Sequence, residues 1–184
     1  MNMVKDLFYA QQTLFSLFSV TNKLQIQGDK HLQEMTIRQI LAIPALFHAP
    51  DGKATINHIA RSMGTTKQNA KQIVDAMQRK GYVAVAPSER DKRAVNITIT
   101  PKGEQIFKVC SERIDEFLAD LFGDFSTEEM EILYKLLHKL YQFDNAGRED
   151  VDYRHSHAGD EDTVLNYHSQ YVKRRVENNR KKPK

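Results

Sequence analysis

The feature of this sequence that most constrains its fold is one change of hydrophobic period in an otherwise helical pattern. Across residues 95–100 apolar and polar residues alternate strictly, as in a half-buried β-strand, and residues 82–85 form a second short β segment. The segment between them, residues 87–93, is rich in charged side chains. The pattern therefore predicts a two-stranded hairpin with a basic tip in a protein that is otherwise α-helical.

Two short helices are predicted immediately before this hairpin. The first begins at Thr55 and ends at Gly64, and the second begins with a capping box of Thr65 and Gln68 and ends at Gly81. One face of the second helix is apolar and is expected to be buried: Ala70, Ile73, Val74 and Met77. Two helices joined by a tight glycine-containing turn form a helix-turn-helix, and a hairpin directly after it makes a winged helix.

Longer amphipathic helices flank the winged helix on both sides. On the N-terminal side, residues 4–26 predict one helix that ends near Gly28, and a capping box at Thr36 opens a second, in which Pro44 predicts a kink or a break. On the C-terminal side, helices are predicted from residue 101, after a Thr-Pro start, and from residue 127, after a capping box at Ser126. Beyond residue 144 the chain becomes polar, with residues 145–162 as a linker, residues 163–179 as a weak helix and residues 181–184 as a disordered end.

These elements predict a mainly α-helical fold with a small β-hairpin wing. The expected division is an N-terminal dimerisation helix (1–30), a winged helix-turn-helix DNA-binding domain (31–103), C-terminal dimerisation helices (104–144), and a polar linker with a basic tail (145–184). Dimerisation is expected because the apolar faces of the flanking helices are too long for one small winged helix to cover.

Length and composition predict a soluble cytoplasmic protein. The 184 residues suffice for one domain with an appendage. No apolar run approaches the ~18–20 residues of a membrane-spanning helix, and the first residues lack the apolar core of a signal peptide. The single cysteine excludes an internal disulfide framework and a cysteine-rich zinc module.

Charge is distributed unevenly along the chain, although the net charge is only +3. Residues 50–103 carry ten basic and four acidic side chains, whereas residues 104–145 carry four and ten. A basic winged-helix segment indicates a polyanionic partner. An ordinary solvated surface is the alternative that charge alone leaves open.

Three short motifs, taken in order, resemble those of MarR-family transcriptional regulators. They are Gly81-Tyr82-Val83, then Asp91-Lys92-Arg93-Ala94-Val95, then Ile99-Thr100-Pro101-Lys102-Gly103, and residues 59–64 match the family's entry into the helix-turn-helix. The resemblance covers about residues 1–143. It implies a homodimer with intertwined terminal helices, a recognition helix in the major groove of double-stranded DNA, a wing in the adjacent minor groove, and a pseudo-palindromic operator.

The second helix of the helix-turn-helix is the expected recognition helix. Its predicted DNA contacts are Thr66, Lys67, Gln68, Asn69, Lys71 and Gln72, and Asp75 also lies off the buried face. Glutamine can pair with adenine, and lysine can reach guanine or phosphate, so this face can read bases. Residues 66–72 depart from the family's common pattern, which predicts an operator unlike that of a typical relative. A merely solvated helix face is the alternative.

The wing tip supplies the second group of predicted DNA contacts. Arg93 is expected to enter the minor groove, where arginine is favoured. Asp91 is interpreted as the wing-orienting partner that fixes Arg93, with an exposed ion pair as the alternative. Arg61, Arg90 and Lys92 are expected to contact phosphates.

Other conspicuous residues receive structural interpretations. Cys110 lies on the apolar stripe of the helix after the wing, which favours a buried, inert thiol over a redox sensor. His155 and His157 lack the further ligands that a closed metal site requires, so we predict no metal and no cofactor. The candidates for lining the effector pocket that the family resemblance implies are Phe18, Phe47 and Tyr82.

The sequence therefore predicts a dimeric, sequence-specific DNA-binding transcriptional regulator, in the form of a repressor released by a small-molecule effector of unknown identity. No nucleophile–base pairing, glycine-rich phosphate loop or carboxylate pair favours an enzyme. The alternative is a winged-helix adaptor that binds proteins through the acidic segment 104–145 or the tail. The basic end, residues 173–184, is interpreted as a solubilising disordered segment, with nonspecific DNA affinity as the alternative.

Overall fold

The computed structural model describes residues 2–49, 52–88, 95–144 and 168–181. Its helices are α1 (Met3–Leu32), α2 (Ile37–Phe47), α3 (Ile56–Ser62), α4 (Lys67–Arg79), α5 (Pro101–Leu121), α6 (Thr127–Tyr141) and α7 (Ser169–Lys181), with a 3-10 turn at Gln142–Asp144. The strands β1 (Val83–Pro87) and β2 (Val95–Ile99) pair antiparallel, with Val83 opposite Ile99 and Pro87 opposite Val95. The predicted mainly α-helical fold with a small hairpin wing is confirmed.

Local capping fixes where several helices begin. Thr36 Oγ1 accepts from the backbone N–H of Gln39 at 3.2 Å, and the Gln39 side chain accepts from the Thr36 N–H at 3.1 Å. Ser126 opens α6 with the same reciprocal pair of hydrogen bonds. Thr100 caps α5, and Pro101 occupies its first turn, where the missing N–H costs nothing. These helix starts are confirmed as the sequence predicts them.

The core lies where the C-terminal end of α1, the helices α2 to α4, the hairpin and the first half of α5 meet. Its largest fully buried side chains are Leu32, Met35, Ile43, Ile59, Val74, Met77, Ile97 and Cys110. Ala54 and Ile97 exchange two backbone hydrogen bonds of 3.0 and 2.8 Å. This bridge, which the sequence pattern did not predict, fastens the wing to the chain segment that enters α3.

The predicted end of the first helix is wrong. Helix α1 does not end near Gly28 but continues to Leu32. Gly28 is buried, and a Cβ there would lie 2.2 Å from Cγ1 of Ile37, so the glycine allows α2 to pack closely on α1. Of the kink or break predicted at Pro44, the break is absent, because α2 runs through Pro44 to Phe47, and the kink stays a prediction.

The tail helix α7 packs on α5, so the interpretation of the basic end, residues 173–184, as a disordered segment is wrong for residues 173–181. His168 Nδ1 lies 2.7 Å from Oδ1 of the buried Asp115. Arg174 donates two hydrogen bonds of 2.8 and 2.9 Å to the carboxylate of Asp120. Arg175 donates to the carbonyls of Phe122 and Phe125, just beyond α5. A weak helix was predicted over residues 163–179; helix is present from residue 169 onward, and residues 163–167 lie outside the described residues.

Helices α1 and α6 expose large apolar surfaces in the single chain. The exposed side chains include Leu7, Phe8, Phe15 and Phe18 on α1 and Ile132, Tyr134, Leu136 and Leu140 on α6. No residue of α6 is buried within the chain. Within the described ranges, no helix combines the length and the apolar character that crossing a bilayer requires.

Candidate nucleic-acid interface

A tight turn joins α3 to α4 and sets their relative direction. Gly64 occupies it with φ of +59°, a left-handed conformation that glycine adopts without strain. The backbone N–H of Thr65 donates to the carbonyl of Ala60 at 2.9 Å, and that of Gly64 donates to Arg61 at 3.1 Å. These bonds end α3 at Ser62 and let α4 begin at Lys67, five residues later, as in a helix-turn-helix.

Helix α4 begins one residue later than the predicted capping box of Thr65 and Gln68. Thr66 is its N-cap, and Thr66 Oγ1 accepts from the backbone N–H of Asn69 at 3.2 Å. The side-chain amide of Asn69 donates to Thr65 Oγ1 at 3.3 Å. The local sequence allows either Thr65 or Thr66 to act as the N-cap, which explains why the helix begins one residue later than predicted. Thr66 and Asn69, both predicted DNA contacts, therefore use side-chain atoms to hold the start of α4.

The other predicted residues of α4 form one exposed polar face. Lys67, Gln68, Lys71 and Gln72 are exposed, whereas Ala70, Val74 and Met77 on the opposite side are buried in the core. Burial of this apolar side fixes the rotation of α4 about its axis, because turning the helix would expose these residues. The polar face consequently points away from the core. Its contact with DNA stays a prediction.

A shallow cleft lies beside the start of α4. Its volume is about 260 Å³, and its lining residues are Asn57, Ala60, Arg61, Thr65 and Lys67. The cleft combines two cationic side chains with an amide and a hydroxyl, which together are suited to phosphate oxygens. Sequence reasoning identified Arg61 and Lys67 but missed Asn57 and Thr65. The signal for Asn57 was its position four residues before Arg61, which places both on one face of α3.

The base of the wing is tied to the core through Tyr82. The Tyr82 hydroxyl donates to the carbonyl of Glu34 at 3.2 Å, and Lys80 Nζ donates to the same carbonyl at 2.8 Å. Burial raises the pKa of Tyr82, and the nearby Glu34 adds to the effect. The carbonyl of Tyr82 accepts from the backbone N–H of Thr100 at 3.0 Å. The wing therefore starts from a fixed position beside α1 and α5.

The predicted contacts at the wing tip lie outside the described residues. They are Arg90, Lys92, Arg93 and the wing-orienting residue Asp91. The two strands that flank this segment in sequence are described, and Pro87 and Val95 form the last pair of their register before it. The roles of these four residues stay predictions.

The residues proposed for an effector pocket have different surroundings. Phe18 is two-thirds exposed on α1, Phe47 packs against Phe107 with ring centroids 5.5 Å apart, and Tyr82 is buried at the base of the wing. The structure gives no observation that unites them in one cavity. An effector site made by these residues stays a prediction.

Cys110 and the histidines were interpreted without a functional role. Cys110 is fully buried and its Sγ lies 4.0 Å from the carbonyl of Leu32, and burial raises the pKa of the thiol. A buried, protonated thiol is a weak nucleophile, which agrees with the structural interpretation. Among the residues described, no three His, Cys, Asp or Glu side chains form a group that could hold a metal ion. His155 and His157 lie outside these residues.

Known proteins share both the sequence pattern and the architecture. A profile of the MarR family matches residues 33–94. The transcriptional activatory protein BadR of Rhodopseudomonas palustris is 27% identical over 144 residues, which cover 74% of this chain and 82% of BadR. A MarR-like transcription regulator from Bacillus cereus has a TM-score of 0.62 at 26% identity, over 73% of this chain and 97% of that one. Staphylococcus aureus MepR, solved in complex with DNA, has a TM-score of 0.63 at 21% identity, over 70% of this chain and 94% of that one.

About a quarter of the chain lies outside the part shared with the Bacillus cereus regulator. The matched family profile, the similar transcriptional regulator and the common architecture agree with one another. The chain is therefore similar to MarR-family transcriptional regulators, in sequence over residues 33–94 and in its winged-helix architecture.

Proposed function

We propose that this protein is a dimeric, sequence-specific DNA-binding transcriptional regulator that inserts α4 into the major groove. The observation that carries the proposal is the exposed polar face of α4, which follows directly from the glycine turn and whose opposite side is locked in the core. Lysine and glutamine on such a face match the acceptors and donors of base edges. The similarity to known regulators supports the same function, since BadR is named as a transcriptional protein and MepR was solved with DNA.

The cleft beside α4 anchors the protein on the DNA backbone. Arg61 and Lys67 provide positive charge there, and the side chains of Asn57 and Thr65 provide hydrogen-bonding groups. Contacts of this kind position a protein on the duplex without specifying sequence. The cleft therefore sets the register in which α4 reads bases.

The wing reaches the minor groove next to the major groove that α4 occupies. Arg93 enters this groove, Asp91 orients Arg93, and Arg90 and Lys92 contact phosphates. Support for these roles comes from the family motif and from the hairpin that carries the segment.

The dimer forms through α1 and α6, because their large exposed apolar faces need a partner in water. Residues 1–30 and 104–144 are the dimerisation parts in this proposal, and residues 31–103 are the DNA-binding domain. Two α4 helices then meet major grooves about 10–10.5 bp apart, so the operator is pseudo-palindromic. Light scattering at micromolar concentration is expected to give about twice 21.3 kDa, and a monomer at every concentration would contradict the dimer.

Repression released by a small-molecule effector is the regulatory mode we propose, and the resemblance to MarR-family regulators supports it. A dimer that covers a promoter excludes other proteins from the same DNA. A reporter gene behind the selected operator is expected to be silenced by the protein. Activation of the reporter would contradict repression without affecting the DNA-binding proposal.

DNA selection from a random pool, followed by affinity measurements at several salt concentrations, tests DNA binding. The logarithm of affinity is expected to fall with the logarithm of salt concentration, with a slope of about −0.9 for each phosphate neutralised. Arg61→Ala and Lys67→Ala are each expected to make the slope less steep by about 0.9 and to keep the selected sequence. Lys135→Ala, checked by light scattering to remain a dimer, is the control, because Lys135 is an exposed cation on α6, outside the proposed DNA contacts.

The adaptor alternative receives less support from the structure. It relied on the acidic segment 104–145 or on the tail, but Asp115 and Asp120 of this segment are engaged by His168 and Arg174 of the tail itself. An absence of salt-dependent DNA binding, together with a failure to enrich any sequence, would favour the adaptor over the regulator.

A further inference from the structure

The polar face of α4 contains one acidic side chain, Asp75, which has no role in the proposal above. Lys71 Nζ lies 2.7 Å from Oδ2 of Asp75, one helical turn away. Asp75 is the only acidic residue in the sequence of α4, where the cations are Lys67, Lys71 and Arg79. An acidic side chain on a DNA-facing helix is repelled by phosphate, so its presence there requires an explanation.

Helix stability does not explain the Lys71–Asp75 pair. Both side chains are well exposed, at 65% for Lys71 and 39% for Asp75, and exposed pairs contribute little. Their order is also the weaker one, because a lysine that precedes its acidic partner by four residues opposes the helix dipole. The pair therefore adds almost nothing to α4 while placing a negative charge on the face that meets DNA.

The hydrogen-bonding groups of Lys71 and Asp75 match, in their order, those on the major-groove edge of one base pair. A lysine side chain on a helix leans by default toward the N-terminus, but Asp75 draws the ammonium of Lys71 toward the C-terminal end of α4. One of the three N–H groups is then used by Asp75, and two remain. The carboxylate keeps Oδ1 as an acceptor. The pair thus presents two donors followed by one acceptor.

We propose that Asp75 is a specificity-determining residue that reads a G·C base pair together with Lys71. Guanine presents the acceptors N7 and O6, and the paired cytosine presents its N4 amino donor beside them. Lys71 donates to the guanine atoms, and Asp75 accepts from the cytosine amino group. An A·T pair offers a different order of groups, in which the O4 acceptor of thymine faces the carboxylate. This inference rests on the proposed DNA-binding function.

The experiment compares DNA selection by the wild-type dimer with selection by Asp75→Ala and Lys71→Ala. Affinities for the selected site, and for the same site with each G·C pair changed to A·T, give the discrimination at every position. The wild type is expected to prefer G·C at one position of each half-site by about 5- to 150-fold, the range that corresponds to one good base contact. Asp75→Ala is expected to remove most of this preference and to bind nonspecific DNA at least as tightly as the wild type, because a negative charge has been removed.

Glu177→Ala is the control. Glu177 lies 4.0 Å from Arg174 at a three-residue spacing on α7, so the control removes the same charge from an exposed helical pair outside both the reading face and the proposed dimerisation parts. It is expected to leave the preference at every position unchanged. Thermal unfolding of each variant separates a loss of base discrimination from a loss of folding, since none of the three substitutions should change Tm appreciably.

The outcomes distinguish this inference from the proposed function. A specific wild type whose Asp75→Ala variant keeps the full G·C preference overturns the role of Asp75 and leaves the DNA-binding regulator intact. A uniform loss of affinity by Asp75→Ala, with an unchanged preference, likewise overturns it, because Asp75 would then act only as a support. A wild type that selects no sequence overturns the proposed function, and the role of Asp75 with it.

Discussion

Gly103 is the position at which adding one methyl group should do the most damage to the wing. It is the third residue of α5 and packs against the backbone at the base of the hairpin. A Cβ at this position would lie 2.1 Å from the carbonyl oxygen of Tyr82 and 2.9 Å from Cγ1 of Ile99. The Tyr82 carbonyl cannot simply move away, because it accepts the hydrogen bond from the Thr100 N–H. We predict that Gly103→Ala forces α5 and the hairpin apart.

The size of the effect follows from three contributions. Overpacking a tight site typically costs about 1–3 kcal/mol, and weakening the Thr100–Tyr82 hydrogen bond costs about 1 kcal/mol more. The better helix propensity of alanine returns about 1 kcal/mol. The free energy of unfolding is therefore expected to fall by about 1–3 kcal/mol. Equilibrium unfolding in urea, at one fixed protein concentration, measures it.

Gly28→Ala is the informative control because the atoms that a new methyl group would meet there are of a different kind. The added methyl group meets the side chain of Ile37 rather than backbone. Trimming that side chain should make room, so Gly28→Ala combined with Ile37→Ala is expected to cost less than the sum of the two single substitutions. Gly103→Ala combined with Ile99→Ala should show no such relief, since the Tyr82 carbonyl remains. A Gly103→Ala variant as stable as the wild type would refute the reasoning.

Two further predictions concern charged and reactive groups. The Arg174 hydrogen bonds hold the pKa of Asp120 at about 2, below its usual 3.8, so the pair stabilises the fold above about pH 4 and loses this effect as the pH falls toward 2. Asp120→Asn is expected to lower the free energy of unfolding by less than about 1 kcal/mol at pH 6, because the Arg174–Asp120 pair is partly exposed. The difference in unfolding free energy between variant and wild type should shrink at pH 2.5, and a difference that grows in acid would contradict this prediction. Cys110 is expected to react with a thiol reagent only as fast as the protein unfolds, because it is fully buried; rapid labelling of the native protein would contradict the structural interpretation.

The sequence predicted those parts of the fold that depend on neighbours in the chain. The caps at Thr36, Thr100 and Ser126 could be identified because each cap involves residues three positions apart. The strands could be located because their alternating pattern differs from the helical period around them. The exposed polar face of α4 followed in the same way from the spacing of its apolar residues.

The errors arose where the deciding contact is distant in sequence. Gly28 looks like a helix end, and only its packing against Ile37 shows that it is a close-approach position. Nothing near Asp115 indicates that this acidic residue is buried, because its partner His168 lies 53 residues away. The start of α4 was missed by one residue because two successive threonines both suit a cap, and only the backbone geometry decides between them.

The attachment of Tyr82 to Glu34 has a mechanical consequence for the spacing of DNA half-sites. Glu34 follows α1, which carries much of the proposed dimer surface, and Tyr82 stands at the root of the wing. Lys80, at the end of the reading helix α4, is bonded to the same carbonyl. In a dimer joined through α1, a small tilt of one protomer against the other therefore moves the wing and α4 together with α1. Any molecule that changes this tilt alters the distance between the two α4 helices of the dimer. It thereby changes the affinity for an operator of fixed length without contacting the DNA.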